Sequence, residues 1–302
     1  MLVNISKSFG ILCNRSVSLK LLYPVKQTVR KITNVNSQGL VVEYLSGDRQ
    51  GIVTLGLNRP ETRNALGKKL LAAFAEIVET VKYDKNSRVL IIHSLVKNAF
   101  CAGADLKERA AMPEAEVGPF VSKIRQSITD LHDLPIPTLA AIDGAALGGG
   151  LEMALACDMR VSSATAKMGL VETKLAIIPG GGGTQRLPRI VGSALAKELI
   201  FTGRIIDGNE AHRIGLVNHV VQQNENSNAA FVKALELAEE IITQGPIAVR
   251  LAKLAINKGL DVDLQSGLAF EQACYAQTIG TKDRIEGLTA FKEKRPPKYT
   301  AE

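Results

Sequence analysis

What this chain lacks excludes several classes of protein. Its 302 residues hold four cysteines, Cys13, Cys101, Cys157 and Cys274, with no close pair and no C-x-x-C. Neither a disulfide framework nor a zinc ribbon can be built from that spacing, which suits a reducing compartment. No uncharged apolar run reaches the roughly 18 residues needed to cross about 30 Å of hydrocarbon, so no transmembrane helix is expected. G-x-G-x-x-G and G-x-x-x-x-G-K-[ST] are both missing, which removes support for a dinucleotide fold or a P-loop. No Ser or Cys stands in a G-x-S-x-G elbow. His93, His132, His212 and His219 lie far apart, and ordinary polar positions explain them better than a triad or a metal site.

Acidic residues are missing from one region only. No Asp or Glu precedes Glu43, whereas Lys7, Arg15, Lys20, Lys26, Arg30 and Lys31 all fall there. Setting those six aside leaves 31 basic against 30 acidic residues. The formal charge of +7 therefore describes the front of the chain and says little about the partners of the body. Basic, hydroxyl-bearing and acid-free is the composition of a mitochondrial transit peptide, expected over residues 1–38, with the mitochondrial matrix as destination. A basic tail with no address is the alternative. A secretory signal fits worse, because the apolar stretch Phe9 to Cys13 is short and Asn14-Arg15 interrupts it.

What is present is the material of a globular core: 46% hydrophobic against 22% charged residues. Residues 40–45 and 51–58 read as two strands joined by the turn at Ser46-Gly47-Asp48. Leu66, Leu70, Phe74, Ile77, Val78 and Val81 fall at helical spacing and predict a helix over about 65–83. Val89 to His93 and Thr138 to Ile142 are short apolar runs of the buried parallel-strand kind. Between them, Val117, Val121, Ile124, Ile128 and Leu131 share one face of a helix that opens at Pro113 and stops before Pro135. Such alternation is the α/β signature. After Pro188 the chain turns mostly helical, so the expected layout is an α/β core over 39–190 and a helical C-terminal subdomain over 191–302.

Two glycine-bearing turns follow buried strands, where crevices open in α/β folds. Phe100-Cys-Ala-Gly-Ala-Asp-Leu-Lys-Glu108 allows close backbone approach by a ligand, although Asp105 can equally be the N-cap of a helix starting at Leu106. Gly144-Ala-Ala-Leu-Gly-Gly-Gly-Leu-Glu152 opens a helix whose free N–H groups and dipole can stabilise an oxyanion. Glu152 sits in that first turn, where capping the helix is the plainer role. Glu172 follows in Gly169-Leu-Val-Glu172. Two carboxylates returning to one place would form an acid/base pair with split pKa values, whereas a surface pair with Lys174 would do little. Of the glycines in Pro179-Gly-Gly-Gly-Gly183, a phosphate nest is the sharper reading and a packing turn the plainer one.

Taken in order, these four motifs resemble the crotonase, or enoyl-CoA hydratase, superfamily over about residues 40–299. Glu116 to Arg125, Met168 to Pro188 and Cys274 to Thr278 are similar to the branch that hydrates a branched, carboxylated enoyl-CoA of leucine breakdown, a branch also described as binding AU-rich RNA. The resemblance implies an α/β spiral of ββα repeats (ClpP-like) with a helical C-terminal trimerisation subdomain, assembled as a homotrimer or hexamer. It implies Ala104 and Gly149 as oxyanion hole and Glu152 and Glu172 as the catalytic pair. Coenzyme A would be gripped by Asn64, Ala65, Leu66, Ala102, Ala104, Asp105, Leu106 and Gly149, with Lys107 near its phosphates. No metal and no cofactor beyond the acyl-CoA substrate is implied. A broader short-chain enoyl-CoA hydratase is the alternative. RNA binding is expected to be weak, since Glu76, Glu79 and Asp84 interrupt Lys68, Lys69, Lys82, Lys85 and Arg88.

Overall fold

The computed structural model describes residues 34–36 and 39–302, so the expected leader lies outside the described residues except at Asn34–Asn36. Those three residues form strand β1, antiparallel to β2, Leu40–Tyr44. β3, Ile52–Leu57, is buried at all six positions. Helix α1, Lys68–Tyr83, buries Leu70, Leu71, Phe74, Val78 and Val81, the apolar stripe that the spacing predicts. It starts at 68 rather than 65 because Leu66 is extended and pairs with Ala104. Gly67 offers no capping side chain, and the Glu108 carboxylate accepts from the Lys68 N–H instead, 3.1 Å from each oxygen.

From here a unit repeats, with one strand in a large sheet, one short strand in a second sheet, then helix. The first comprises β4, Val89–Ser94, β5, Ala99–Cys101, α2, Leu106–Ala110, and α3, Glu114–His132. The next comprises β6, Thr138–Ile142, β7, Ala145–Leu147, and α4, Gly149–Ala156. β8, Met159–Ser163, and β9, Lys167–Gly169, lead to α5, Gly183–Val191, and α6, Ser193–Thr202. The remainder is β10, Ile206–Asp207, α7, Gly208–Arg213, β11, His219–Val221, α8, Ala229–Ile242, α9, Pro246–Gly259, α10, Leu264–Ile279, and α11, Lys282–Glu293.

The large sheet runs β1-β2-β3-β4-β6-β8-β11, parallel from β3 onward, and the small one β10-β9-β7-β5. This is the expected α/β spiral. The C-terminal part is less purely helical than the sequence suggests. β11 joins the large sheet beside β8, and α8 lays Ala230, Ala234 and Ala238 on a face made by Ile52, Val89, Ile91, Leu139 and Val161. Small side chains at i, i+4 and i+8 let that helix sit close to the strands. α9 and α10 pack on each other. Lys253 ties α9 to the core through Asp158 at 2.8 Å and the Ile136 carbonyl at 2.9 Å. Among the described residues no helix is long and apolar enough to cross a membrane.

Candidate active site

Every carboxylate needs a partner when buried. Glu152, on the first turn of α4, is 3% exposed, and its partners come from a distant segment. Its Oε1 accepts from the backbone N–H groups of Gly181 and Gly183, each at 2.8 Å. Glu152 therefore does not cap its own helix, whose N-cap is Gly148. The four-glycine turn is a nest for an anion, and the anion is a side chain of this protein. Arg186 braces that turn by donating to the Gly181 carbonyl at 3.0 Å.

Glu172 opens a short 3-10 turn, Glu172–Leu175, and forms no salt bridge with Lys174 among the described residues. Its carboxylate lies against the bend before α4, since a Cβ added to Gly148 would stand 3.2 Å from its Oε1. Gly148 adopts φ +50°, a backbone that side-chain-bearing residues rarely take. The Glu172 Oε2 is buried with no hydrogen-bond partner among the described residues.

These surroundings separate the two acids. Burial pushes Glu172 up to about 7, and the neighbouring Glu152 carboxylate adds to the rise. Burial also raises Glu152, but the N–H donors of Gly183 and Gly181 and the charges of Arg186 and Arg125 oppose it. Glu152 thus has donors and cations that favour its anion, whereas Glu172 is buried beside another carboxylate and retains its proton more readily.

Both carboxyl groups line a cleft of about 920 Å³, together with Ala65, Leu66, Ala102, Ala104, Asp105, Leu106, Lys107 and Gly149. Leu66 donates to the Gly103 carbonyl at 2.7 Å and accepts from Asp105 N–H at 3.2 Å. This pairing skips the Ala104 N–H, which has no acceptor among the described residues. Gly149 is the first residue of α4, so its N–H has no partner within the helix. A Cβ on Gly103 would lie 3.5 Å from the Gly149 nitrogen, so the two donors belong to adjoining segments. Asp105 caps α2 by accepting from Lys107 and Glu108 N–H, the plainer of its two readings.

Asn64 differs from expectation. It is fully buried and absent from the cleft wall. Its Oδ1 accepts from Arg59 N–H at 2.7 Å, and its Nδ2 donates to Ser94 Oγ and the Phe100 carbonyl at 2.8 and 2.9 Å. With φ +61° and every side-chain polar atom satisfied, it positions Ala65 and Leu66 rather than meeting a ligand itself. Arg125, which the motifs did not single out, does line the cleft. The signal for it was there: it lies in the α3 segment that carries the resemblance, one residue after Ile124. His93 lies elsewhere, stacked on Phe231 with ring centroids 4.2 Å apart and pushed down to about 4 by burial.

Two backbone N–H groups without partners and two buried carboxyl groups with unlike surroundings line one cleft, an arrangement of the kind that enolate chemistry beside a thioester requires. Residues 47–302 match the family described as enoyl-CoA hydratase/isomerase. The chain is 63% identical over 263 residues to the mitochondrial methylglutaconyl-CoA hydratase of Mus musculus, covering 87% of this chain and 84% of that one. It is 55% identical over 258 residues to the mitochondrial enoyl-CoA hydratase domain-containing protein 2 of the same organism, covering 85% and 87%. The crystal structure of an enoyl-CoA hydratase from Bacillus anthracis is similar with a TM-score of 0.83 and 49% identity, over 87% of this chain and all of that one. Architecture, cleft and sequence agree, and the chain belongs to the enoyl-CoA hydratase/isomerase, or crotonase, family.

Proposed function

We propose that this enzyme adds water reversibly across the 2,3 double bond of 3-methylglutaconyl-CoA, giving 3-hydroxy-3-methylglutaryl-CoA. The observation that carries the hydratase chemistry is the convergence of two buried, differently poised carboxyl groups in one cleft. The thioester oxygen accepts from Ala104 and Gly149 N–H, which stabilises the enolate as it forms. Glu152, held as the anion by Gly181 and Gly183, takes a proton from water as the oxygen bonds to the β-carbon. Glu172 delivers its proton to the α-carbon. In the reverse direction the two exchange roles. Coenzyme A takes part only as a portion of the substrate, held by the backbone of Ala65, Leu66 and 102–106 with Lys107 beside its phosphates. The acyl assignment follows the relatives named for that substrate. Hydration assays test it: kcat/KM should be higher for methylglutaconyl-CoA than for crotonyl-CoA. The opposite order would favour a broader short-chain hydratase, and turnover of neither would refute the hydratase reading.

A pH dependence follows from Glu172. Its pKa is raised to about 7, and as the acid it must hold its proton. kcat/KM for hydration should therefore fall above about pH 7, approaching tenfold per pH unit. A flat profile up to pH 9 would remove Glu172 from the role of acid.

Exposed apolar side chains on the last three helices support self-association, and we take the assembly to be a homotrimer or a dimer of trimers, as the resemblance implies. Leu260, Leu264 and Phe291 are 78%, 78% and 88% exposed, and a groove of about 980 Å³ opens between these helices. Sedimentation of the full chain as a monomer would overturn this. We place the start of this subdomain after α8, near residue 243. The relatives named as mitochondrial and the acid-free front of the chain support the matrix as location. RNA binding is proposed to be weak and non-specific. Lys68 is paired with Glu116 at 2.7 Å, Lys82 with Glu79 at 3.7 Å, and Arg88 donates to the Gln244 carbonyl. Few free cations mean few released counterions, so a salt series on an AU-rich oligomer should give a shallow slope.

A further inference from the structure

Part of the cleft wall is apolar, with Val121 and Ile124 from α3 lining it along with Ile177, Ile178 and Pro179. One cation interrupts this wall. Arg125 follows Ile124 on the same helix, and its Nε donates to the Gly180 carbonyl at 3.0 Å. Gly180 directly precedes Gly181, whose N–H holds Glu152, so the guanidinium is anchored on the turn that cradles one of the two carboxylates. Both terminal nitrogens of Arg125 are without a partner among the described residues. The other cations of the cleft sit on α2. Arg109 lies over the Phe120 ring, 5.5 Å from its centroid, and Lys107 is exposed.

We propose that Arg125 selects the substrate class, receiving the distal carboxylate of a dicarboxylic acyl chain on the two terminal nitrogens that the Gly180 anchor leaves free. The inference rests on the hydratase reading and deepens it. In a glutaconyl chain the distal carboxylate is joined to the β-carbon through a single methylene. Water adds at that β-carbon beside Glu152, so the carboxylate falls next to the turn on which Arg125 is fixed. A guanidinium meets a carboxylate through two parallel N–H donors, which adds direction to charge. An uncharged short acyl chain leaves this fork in solvent and neither gains nor loses by it. Fixing Nε on a backbone carbonyl also restricts the long side chain before substrate arrives, which lowers the ordering cost of binding.

The experiment compares methylglutaconyl-CoA with crotonyl-CoA in Arg125→Met and Arg125→Lys. Removing Arg125 also removes a positive charge that favours the Glu152 anion, and crotonyl-CoA reports that loss, which both substrates share. The ratio of the two kcat/KM values isolates the carboxylate contact. In Arg125→Met the ratio should fall roughly 10- to 10²-fold, the worth of a charge-assisted hydrogen bond, mostly through KM. Arg125→Lys should recover part of the ratio by keeping the charge without the fork. An unchanged ratio overturns the proposal, including the case where both substrates lose equally because Arg125 only steadies the glycine turn. Wild-type protein that hydrates crotonyl-CoA but not methylglutaconyl-CoA overturns it while leaving the hydratase reading intact. Failure on both substrates ends both.

Discussion

Glu152→Gln and Glu172→Gln each lower kcat by at least about 10², with much less change in substrate binding, because a positioned general acid or base is worth about 10² to 10⁴ in rate. The structure explains why the fold should survive. A glutamine oxygen at 152 still accepts from Gly181 and Gly183 N–H, so the glycine turn keeps its partner and only the proton acceptor is lost. At 172 the carboxyl is raised to about 7, so an amide of similar shape replaces a group that is neutral for a large share of the molecules at neutral pH. The double variant should fall well short of the product of the two losses, since groups that act as a unit are not additive. Steady-state kinetics with circular dichroism and a molecular-mass measurement check this. A folded single variant with wild-type turnover would sink the two-carboxylate mechanism.

Gly181→Ala should cost about 10² in kcat without touching any acid or base. A Cβ there would stand 2.7 Å from Ile128 Cδ1 and 2.8 Å from Glu152 Oε2, inside van der Waals contact with both. Ile128 is 1% exposed in the core and has nowhere to go, so the turn must shift and carry its N–H donors away from the carboxylate. A displacement near 1 Å at a reacting group is enough for a loss of that size, and the strain should destabilise the fold by about 1–3 kcal/mol. Gly118→Ala on α3 is the control, because a Cβ there meets nothing within 4 Å. It should stabilise the protein by about 0.4–1 kcal/mol and leave kcat alone. Equal kcat for Gly181→Ala and wild type would mean that the turn yields without moving Glu152.

Local pattern was enough wherever one residue's fate depends on its near neighbours. The apolar runs at 89–93 and 138–142 marked central strands because a strand covered on both faces has no polar side to show. The stripe from Leu70 to Val81 marked α1 for the matching reason, a helix covered on one side. Strands β5, β7, β9 and β10, two or three residues long, are too short for any period and exist only because neighbouring strands supply their partners. α5 is not marked in the sequence, because Pro188 lies inside it and reads as a stop. β11 and α8 read as parts of a helical tail, since nothing local says that a sheet edge and an uncovered sheet face await them.

The same division runs through the site. The order of the motifs in the chain named the family and singled out both glutamates and the two backbone N–H groups as candidates. What surrounds each glutamate could not be read from that order. Glu152 in its own helix looks like a cap, and only folding brings Gly181 and Gly183 to it. Glu172 in its own segment looks like a surface acid, and only burial beside Glu152 raises its pKa to about 7. Asn64 by its place in the motif belongs with the ligand-binding residues, yet in the tertiary structure its polar atoms meet Arg59, Ser94 and Phe100. Sequence alone determines which groups are available and which backbone positions can approach closely. Desolvation, charge proximity and hydrogen-bond partners depend on distances across the chain, so the unlike surroundings of the two acids were decided by the tertiary structure.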